Sequence, residues 1–336
     1  MASSTPPQPM QEIDEAFRAR CDVIYEAWFQ GGGDFRAAVE SLMTLENEAL
    51  IDAHYAHQGL VENVIGMMYG YRADLDQSIR YFSRARDMFE RANNPTQVVR
   101  AVMNLGETYR QKGDFPRARQ FFRTAYEQAG LLNVPETQAF AAANEGHLLL
   151  SMKQYDRARE RFEKALELAP SVEKVLSQLE VKTDAIQGMA KVHLQVGENS
   201  AAWKCAVESM GLSQQSQQPL MLGCAYRTMG EVLTALGHTP SGTPAADPNA
   251  PDPAATNEHL GDPDMYFQLS IEMFREINAE GEIARTVHMQ GMSLLTRGQN
   301  MTASRKFYQA MLLFTKLGMK DDANKAAQAQ MQAQAR

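Results

Sequence analysis

The stretch from Asn104 to Ala125 reads N-L-G-E-T-Y-R-Q-K-G-D-F-P-R-A-R-Q-F-F-R-T-A, and it decides the fold. Just before and within its first half, Val98, Val99, Val102, Leu105 and Tyr109 fall on the i, i+3, i+4, i+7 stripe of an amphipathic helix. Lys112-Gly113-Asp114 stops that helix, because Gly113 has no side chain to resist the left-handed conformation in which helices end. Asp114 suits the cap of a second helix, and Pro116 falls in its first turn, where the missing N–H costs nothing. The second helix is expected to bury Phe115, Ala118, Phe122 and Ala125. Gly106, Ala118 and Ala125 let the two backbones approach closely with the aromatic rings between them. Each fully buried Phe or Leu contributes roughly 1.5–3 kcal/mol. One such pair cannot cover its own apolar face, so neighbouring pairs must stack on it.

The same unit recurs on both sides. Gly66, Gly106 and Gly146 lie 40 residues apart, as do Phe82, Phe122 and Phe162, and Ala85, Ala125 and Ala165. Asp34, Asp74 and Asp114 keep that interval, each followed by Phe or Leu, and Pro95 and Pro135 repeat it between units. A period of this length is the mark of a stacked repeat array. Turns centred on Gly33-Asp34-Phe35, Ala73-Asp74-Leu75, Gly113-Asp114-Phe115, Gln154-Tyr155, Gly197-Glu198-Asn199, Gly237 and Gly298-Gln299-Asn300 count out seven helix pairs. The first pair departs most, with Leu42 and Leu45 where Phe and Ala are expected. The fifth departs at Ala190, His193, Ala206 and Ser209.

The succession of small Gly, Tyr, G-D-F, Ala, Phe and Ala resembles the tetratricopeptide repeat in a long, 40-residue form. The resemblance covers about residues 11–320. It implies an all-α, right-handed α-solenoid of about seven antiparallel helix pairs; residues 321–336, rich in helix formers and poor in large apolar side chains, are expected to form a capping helix whose Gln/Ala end frays. It also implies that the first helix of each pair lines a concave groove. Side chains facing away from the second helix would point into that groove: Arg100, Met103, Asn104, Glu107 and Arg110 in the third pair, and Phe140, Ala143, Asn144, His147 and Leu150 in the fourth. Asn104 and Asn144 stand two residues before Gly106 and Gly146, where peptide-binding members use an asparagine on the peptide main chain. An amide offers donors and an acceptor together and suits that task; the alternative is an Asn that belongs to the helix pattern and meets water. Asn63, Tyr71, Lys191, Arg227, Glu231 and His288 extend the same surface.

Two segments stand outside the pattern. Residues 1–10 carry Pro6, Pro7 and Pro9 and read as a disordered tail. Residues 238–262 interrupt the sixth pair with a Pro-rich stretch that has no Lys or Arg and four acids, Asp247, Asp252, Glu258 and Asp262. Such a composition cannot bury enough apolar surface to fold alone. After it the period resumes, with Phe267 and Phe307, and Phe274 and Phe314, each 40 residues apart.

The chemistry of the remaining residues points to binding without catalysis. The chain of 336 residues sets 33 Lys and Arg against 41 Asp and Glu, a net charge of -8, which argues against nucleic acid as partner. No apolar run is long enough to span a membrane, and the N-terminus lacks the charged and apolar regions of a signal peptide. Cys21, Cys205 and Cys224 are unpaired in spacing and fit reduced thiols, so a cytoplasmic protein is expected. There is no P-loop, dinucleotide fingerprint, H-E-x-x-H or G-x-S-x-G. His54 and His57 share a helix face without a third metal ligand. No cofactor and no metal are therefore expected, and the protein reads as a non-catalytic scaffold that holds a protein or peptide segment; homo-oligomerisation is compatible with this. The alternative is a ligand- or peptide-responsive signalling regulator acting on a separate effector chain. The candidate binding residues are Asn63, Arg100, Asn104, Glu107, Arg110, Asn144, His147, Lys191 and Arg227.

Overall fold

The computed structural model describes residues 9–30, 33–237 and 261–335, which form fifteen α-helices, one short 3-10 turn and no strand. The 1–10 tail and the 238–262 insertion fall almost wholly outside these residues. The chain divides into two compact units, Met1–Leu148 and Leu149–Arg336. The first holds α1 (Glu15–Phe29), α2 (Phe35–Ile51), α3 (Tyr55–Tyr71), α4 (Leu75–Arg91), α5 (Pro95–Gln111), α6 (Phe115–Leu131) and most of α7 (Pro135–Ser151). The second holds the end of α7, then α8 (Tyr155–Leu168), a 3-10 turn (Ala169–Ser171), α9 (Val175–Gln195), α10 (Asn199–Ser216) and α11 (Pro219–Leu236). It continues with α12 (Pro263–Glu276), α13 (Glu280–Thr296), α14 (Asn300–Lys316) and α15 (Lys320–Gln334).

The helix ends follow from the turn residues. Gly113 takes φ +83° and closes α5 as anticipated. The equivalent place is filled by Ala53, Ala73, Asn93, Asn133 and Lys153, all at φ between 51° and 61°, so most of these turns hold a left-handed residue that is not glycine. The bonds around them are the same each time. Gly113 N donates to Arg110 O and Asp114 N to Tyr109 O, as Ala73 N does to Gly70 O and Asp74 N to Tyr69 O. These contacts satisfy carbonyls that the helix end leaves over. Asp34, Asp74 and Asp114 then accept from the third residue of the next helix, fixing where α2, α4 and α6 begin.

Within a pair, a glycine of the first helix lies against a phenylalanine of the second. A Cβ built on Gly66 would sit 2.8 Å from the Phe82 ring, and one on Gly106 2.7 Å from Phe122. In the second unit Gly223 and Gly230 meet Phe274 and Phe267, and Gly291 meets Phe307. The sixth pair therefore closes between α11 and α12 although residues 238–262 separate them in sequence. Helix α15 lays Ala333 against Leu294, Leu295 and Phe307.

Several side chains depart from the sequence reading. Phe115 is only half-buried, whereas Ala143 is fully buried and cannot line a groove. Cys21 is buried and Cys205 and Cys224 are intermediate in exposure, and burial pushes every cysteine thiol upward, Cys21 to about 12. On the arginine-rich α4, Arg80, Arg84 and Arg91 are exposed, and Arg84 also pairs with Glu46 of α2 at 3.1 Å and with the buried Glu62 of α3 at 2.5 Å.

Candidate functional site

In the first unit the expected groove residues lie along α3, α5 and α7, held by contacts among themselves. Asn104 donates its amide to Asn63 Oδ1 across 3.0 Å, joining two of the expected groove residues. Arg100 donates to Glu136 at 2.6 Å. Glu107 accepts from Arg110 Nε and Nη2, at 2.7 and 2.6 Å, and from Gln111 at 2.9 Å. Burial works against the charge on Glu107, but Arg110, Gln111 and the nearby His147 outweigh it and hold the carboxyl below its usual range. Asn144 and His147 are half-buried on α7. This face is polar, half-buried and largely satisfied internally.

The second unit differs. Lys191 of α9 and Arg227 of α11 were expected as groove residues, and both face a polar interior built by α9, α11 and α13. Arg227 is buried, donates to Glu282 at 2.5 Å and to Thr286 at 3.3 Å, and lies over the Phe274 ring. Arg285 also pairs with Glu282. Burial of Glu282 opposes its charge, yet the two guanidinium groups hold its carboxyl well below the usual range. Glu231, one turn along from Arg227, is pushed upward by burial against the pull of Lys191 and Arg227.

Several buried polar atoms here have no hydrogen-bond partner: Thr183 Oγ1 and Gln187 Nε2 on α9, Arg227 Nε and Glu231 Oε1 on α11, and Gln290 Oε1 on α13; His288 Nδ1 also lacks one, but its ring lies on the other face of α13, against Phe307 and Phe314 of α14. An unmet buried donor or acceptor costs about 1–3 kcal/mol. Mixed donors and acceptors of this kind match a peptide main chain or polar side chains. Lys191, Arg227, Glu231 and His288 are among the residues expected from sequence; Thr183, Gln187, Glu282, Thr286 and Gln290 are not. The signal was present: Thr183, Gln187 and Lys191, like Glu282, Thr286 and Gln290, are polar residues four apart on first helices. Among the described residues no cluster of three or more His, Cys, Asp or Glu could hold a metal ion, and no helix is long and apolar enough to cross a membrane. His54 and His57 stack on each other at 3.5 Å between ring centres, and His57 bonds Asp14.

Residues 58–130 and 139–172 match family models described as tetratricopeptide repeat. No curated protein sequence matches the chain. Among solved structures, a Rap protein complexed with Competence and Sporulation Factor aligns with 13% identity and a TM-score of 0.58, over 95% of this chain and 75% of that one. Aspartyl phosphate phosphatase F from Bacillus subtilis aligns with 13% identity and a TM-score of 0.61, over 89% and 72%. The Rap conjugation gene regulator of the plasmid pLS20, in complex with the Phr* peptide, aligns with 11% identity and a TM-score of 0.63, over 96% and 81%. At these identities the likeness is one of fold.

Proposed function

We propose that this tetratricopeptide-repeat protein is a non-catalytic scaffold that captures a peptide or protein segment on the first-helix faces of its pairs. The observation that carries this is the set of unpartnered buried polar atoms on α9, α11 and α13, above all Gln187 Nε2 and Glu231 Oε1. One is a donor and the other an acceptor, on two helices that share one electrostatic environment through Lys191. A peptide supplies both complementary groups in each amide unit. Asn63, Arg100, Asn104, Glu107, Arg110, Asn144 and His147 extend the reading to the first unit, with the Asn63–Asn104 bond exchangeable for bonds to a ligand main chain.

A second reading, a peptide-responsive regulator acting on a separate chain, draws support from the fold neighbours solved with Competence and Sporulation Factor and with the Phr* peptide. Selection from a displayed random-peptide library against the purified chain tests the first reading. Binders are expected whose affinity falls at least about tenfold with Gln187→Ala plus Glu231→Ala at unchanged helicity, the worth of about 1.4 kcal/mol. A library that yields no binder, or binders indifferent to both these changes and Asn104→Ala, would overturn it. Small-angle scattering of the chain with a selected peptide tests the second reading, which requires a changed profile.

A further inference from the structure

Residues 9–14 run without helical structure across the turns between pairs, and Gln11 is bound there through both its main chain and its side chain. Gln11 N donates to Ala92 O at 2.8 Å, and Gln11 O accepts from Asn94 Nδ2 at 3.1 Å. Its side chain donates to Ala53 O at 3.3 Å and accepts from Ala56 N at 3.3 Å, bridging the α2–α3 turn to the α4–α5 turn. Two residues on, Ile13 packs against Ala85, Phe89 and Ala101. The chain's own segment Gln11–Ile13 thus fills a seat made by one inter-pair turn and the end of the following second helix.

The repeat supplies that seat again 40 residues later, where a cavity of about 350 Å³ opens. Its lining includes Asn93, Ala125 and Leu132, the counterparts of Ala53, Ala85 and Ala92. Val98, Val99, Val102, Ala125 and Leu132 make it apolar, while Glu90, Thr124 and Gln128 rim it. Val99 and Ala129 stand where Gly59 and Phe89 meet at the first seat. On α5, successive residues turn by about 100°, so Val98 and Val102 face roughly opposite to Arg100, Asn104 and Glu107. The cavity is therefore separate from the face assigned above.

We propose that this cavity is a second binding site, for an extended segment of a separate protein carrying a glutamine followed two residues later by a large aliphatic side chain. The glutamine side chain would bridge Asn93 C=O and Thr96 N–H, and its main-chain N–H would reach Leu132 C=O, as Gln11 does at the first seat. The aliphatic group would enter the valine-lined floor. Val134 replaces Asn94, so one bond of the first seat is not repeated. A second copy of the chain is the poorer occupant: its strap is already seated within its own chain, where tethering gives a far higher effective concentration, and exchange would only trade one seat for another.

The test is fluorescence polarisation of a labelled synthetic peptide, P-M-Q-E-I-D, titrated with the full chain. Saturable binding is expected, weakened at least about tenfold by Gln128→Trp, which fills the mouth from an exposed position, and by aspartate in place of the peptide isoleucine. Asn104→Ala should leave it unchanged, so this result stands apart from the groove reading. Binding that is absent, that survives Gln128→Trp, or that is lost with Asn104→Ala would overturn the proposal. Sedimentation of the chain alone should show no dimer that Gln128→Trp abolishes; such a dimer would give the seat to a second copy and overturn the assignment to a separate partner.

Discussion

Asn104 of α5 and Asn63 of α3 are bonded side chain to side chain, 41 positions apart in sequence and 3.0 Å apart in space. The first-helix face of the first unit is thereby stitched between neighbouring pairs. A neutral hydrogen bond of this kind contributes about 0.5–1.5 kcal/mol. Asn63→Ala and Asn104→Ala should each destabilise the chain modestly, and the double variant should cost less than their sum. Urea unfolding of the four proteins measures the coupling, and strict additivity would show that the bond does not contribute.

Glu62 carries a different kind of tension. Only 1% of the residue is exposed, its Oε2 has no partner, and burial together with the adjacent Glu46 carboxyl pushes it up to about 9 against the pull of Arg84. A carboxyl raised in the folded state contributes stability that is complete below its unfolded value, about 4.3, and is lost as the pH climbs through its folded value. Glu62→Gln should remove that loss. Thermal melts across pH 4.5–9 should show the variant and wild type converging at the acid end. At pH 8–9 the variant should be more stable, by about 1–3 kcal/mol, the size of an unmet buried polar group.

Arg227 and Glu282 are a buried pair in the second unit, and truncating one partner leaves the other charge uncompensated. Glu282→Ala should cost about 3–5 kcal/mol, whereas Arg227→Met with Glu282→Leu should come close to neutral. Because Glu282 is held below its ordinary range, its contribution is present above the unfolded carboxyl value and fades as the pH falls through the lower folded value. Denaturant midpoints of the variants at pH 7 decide the first point. A double replacement as damaging as the single one would contradict it.

Gly106→Ala should destabilise by about 1–3 kcal/mol, since the new methyl meets the Phe122 ring at 2.7 Å. Pairing it with Phe122→Leu should recover part of the loss, because the ring is what the methyl strikes. At the exposed turn residue Lys153, φ +60°, Lys153→Gly should add roughly 0.5–1 kcal/mol by relieving left-handed strain. Calorimetric melting of each variant reads both effects.

The helix pairs were legible because their causes are local. Gly106 opposite Phe122, Asp114 at a cap and Gly113 at a stop each state a steric or hydrogen-bonding requirement within 20 or so residues, and the 40-residue period repeats it. The turns at Ala53, Ala73 and Lys153 were less so, since an alanine or lysine at positive φ is imposed by the bonds around it and not by its own preference. The candidate binding residues were half legible. Period and resemblance placed Asn63, Asn104, Lys191 and Arg227 on first helices, but not their partners. That Asn104 bonds Asn63, that Arg227 pairs with Glu282, that Glu231 and Gln187 keep unmet atoms, and that Gln11 crosses to Ala92 and Asn94 all depend on distances between helices. Sequence by itself determined which residues form helices and which face of each is apolar, because backbone sterics and periodicity act along the chain. Only the tertiary structure decided which polar groups are satisfied and which seats are filled, because hydrogen bonds and burial are settled by what the neighbouring helices bring within reach.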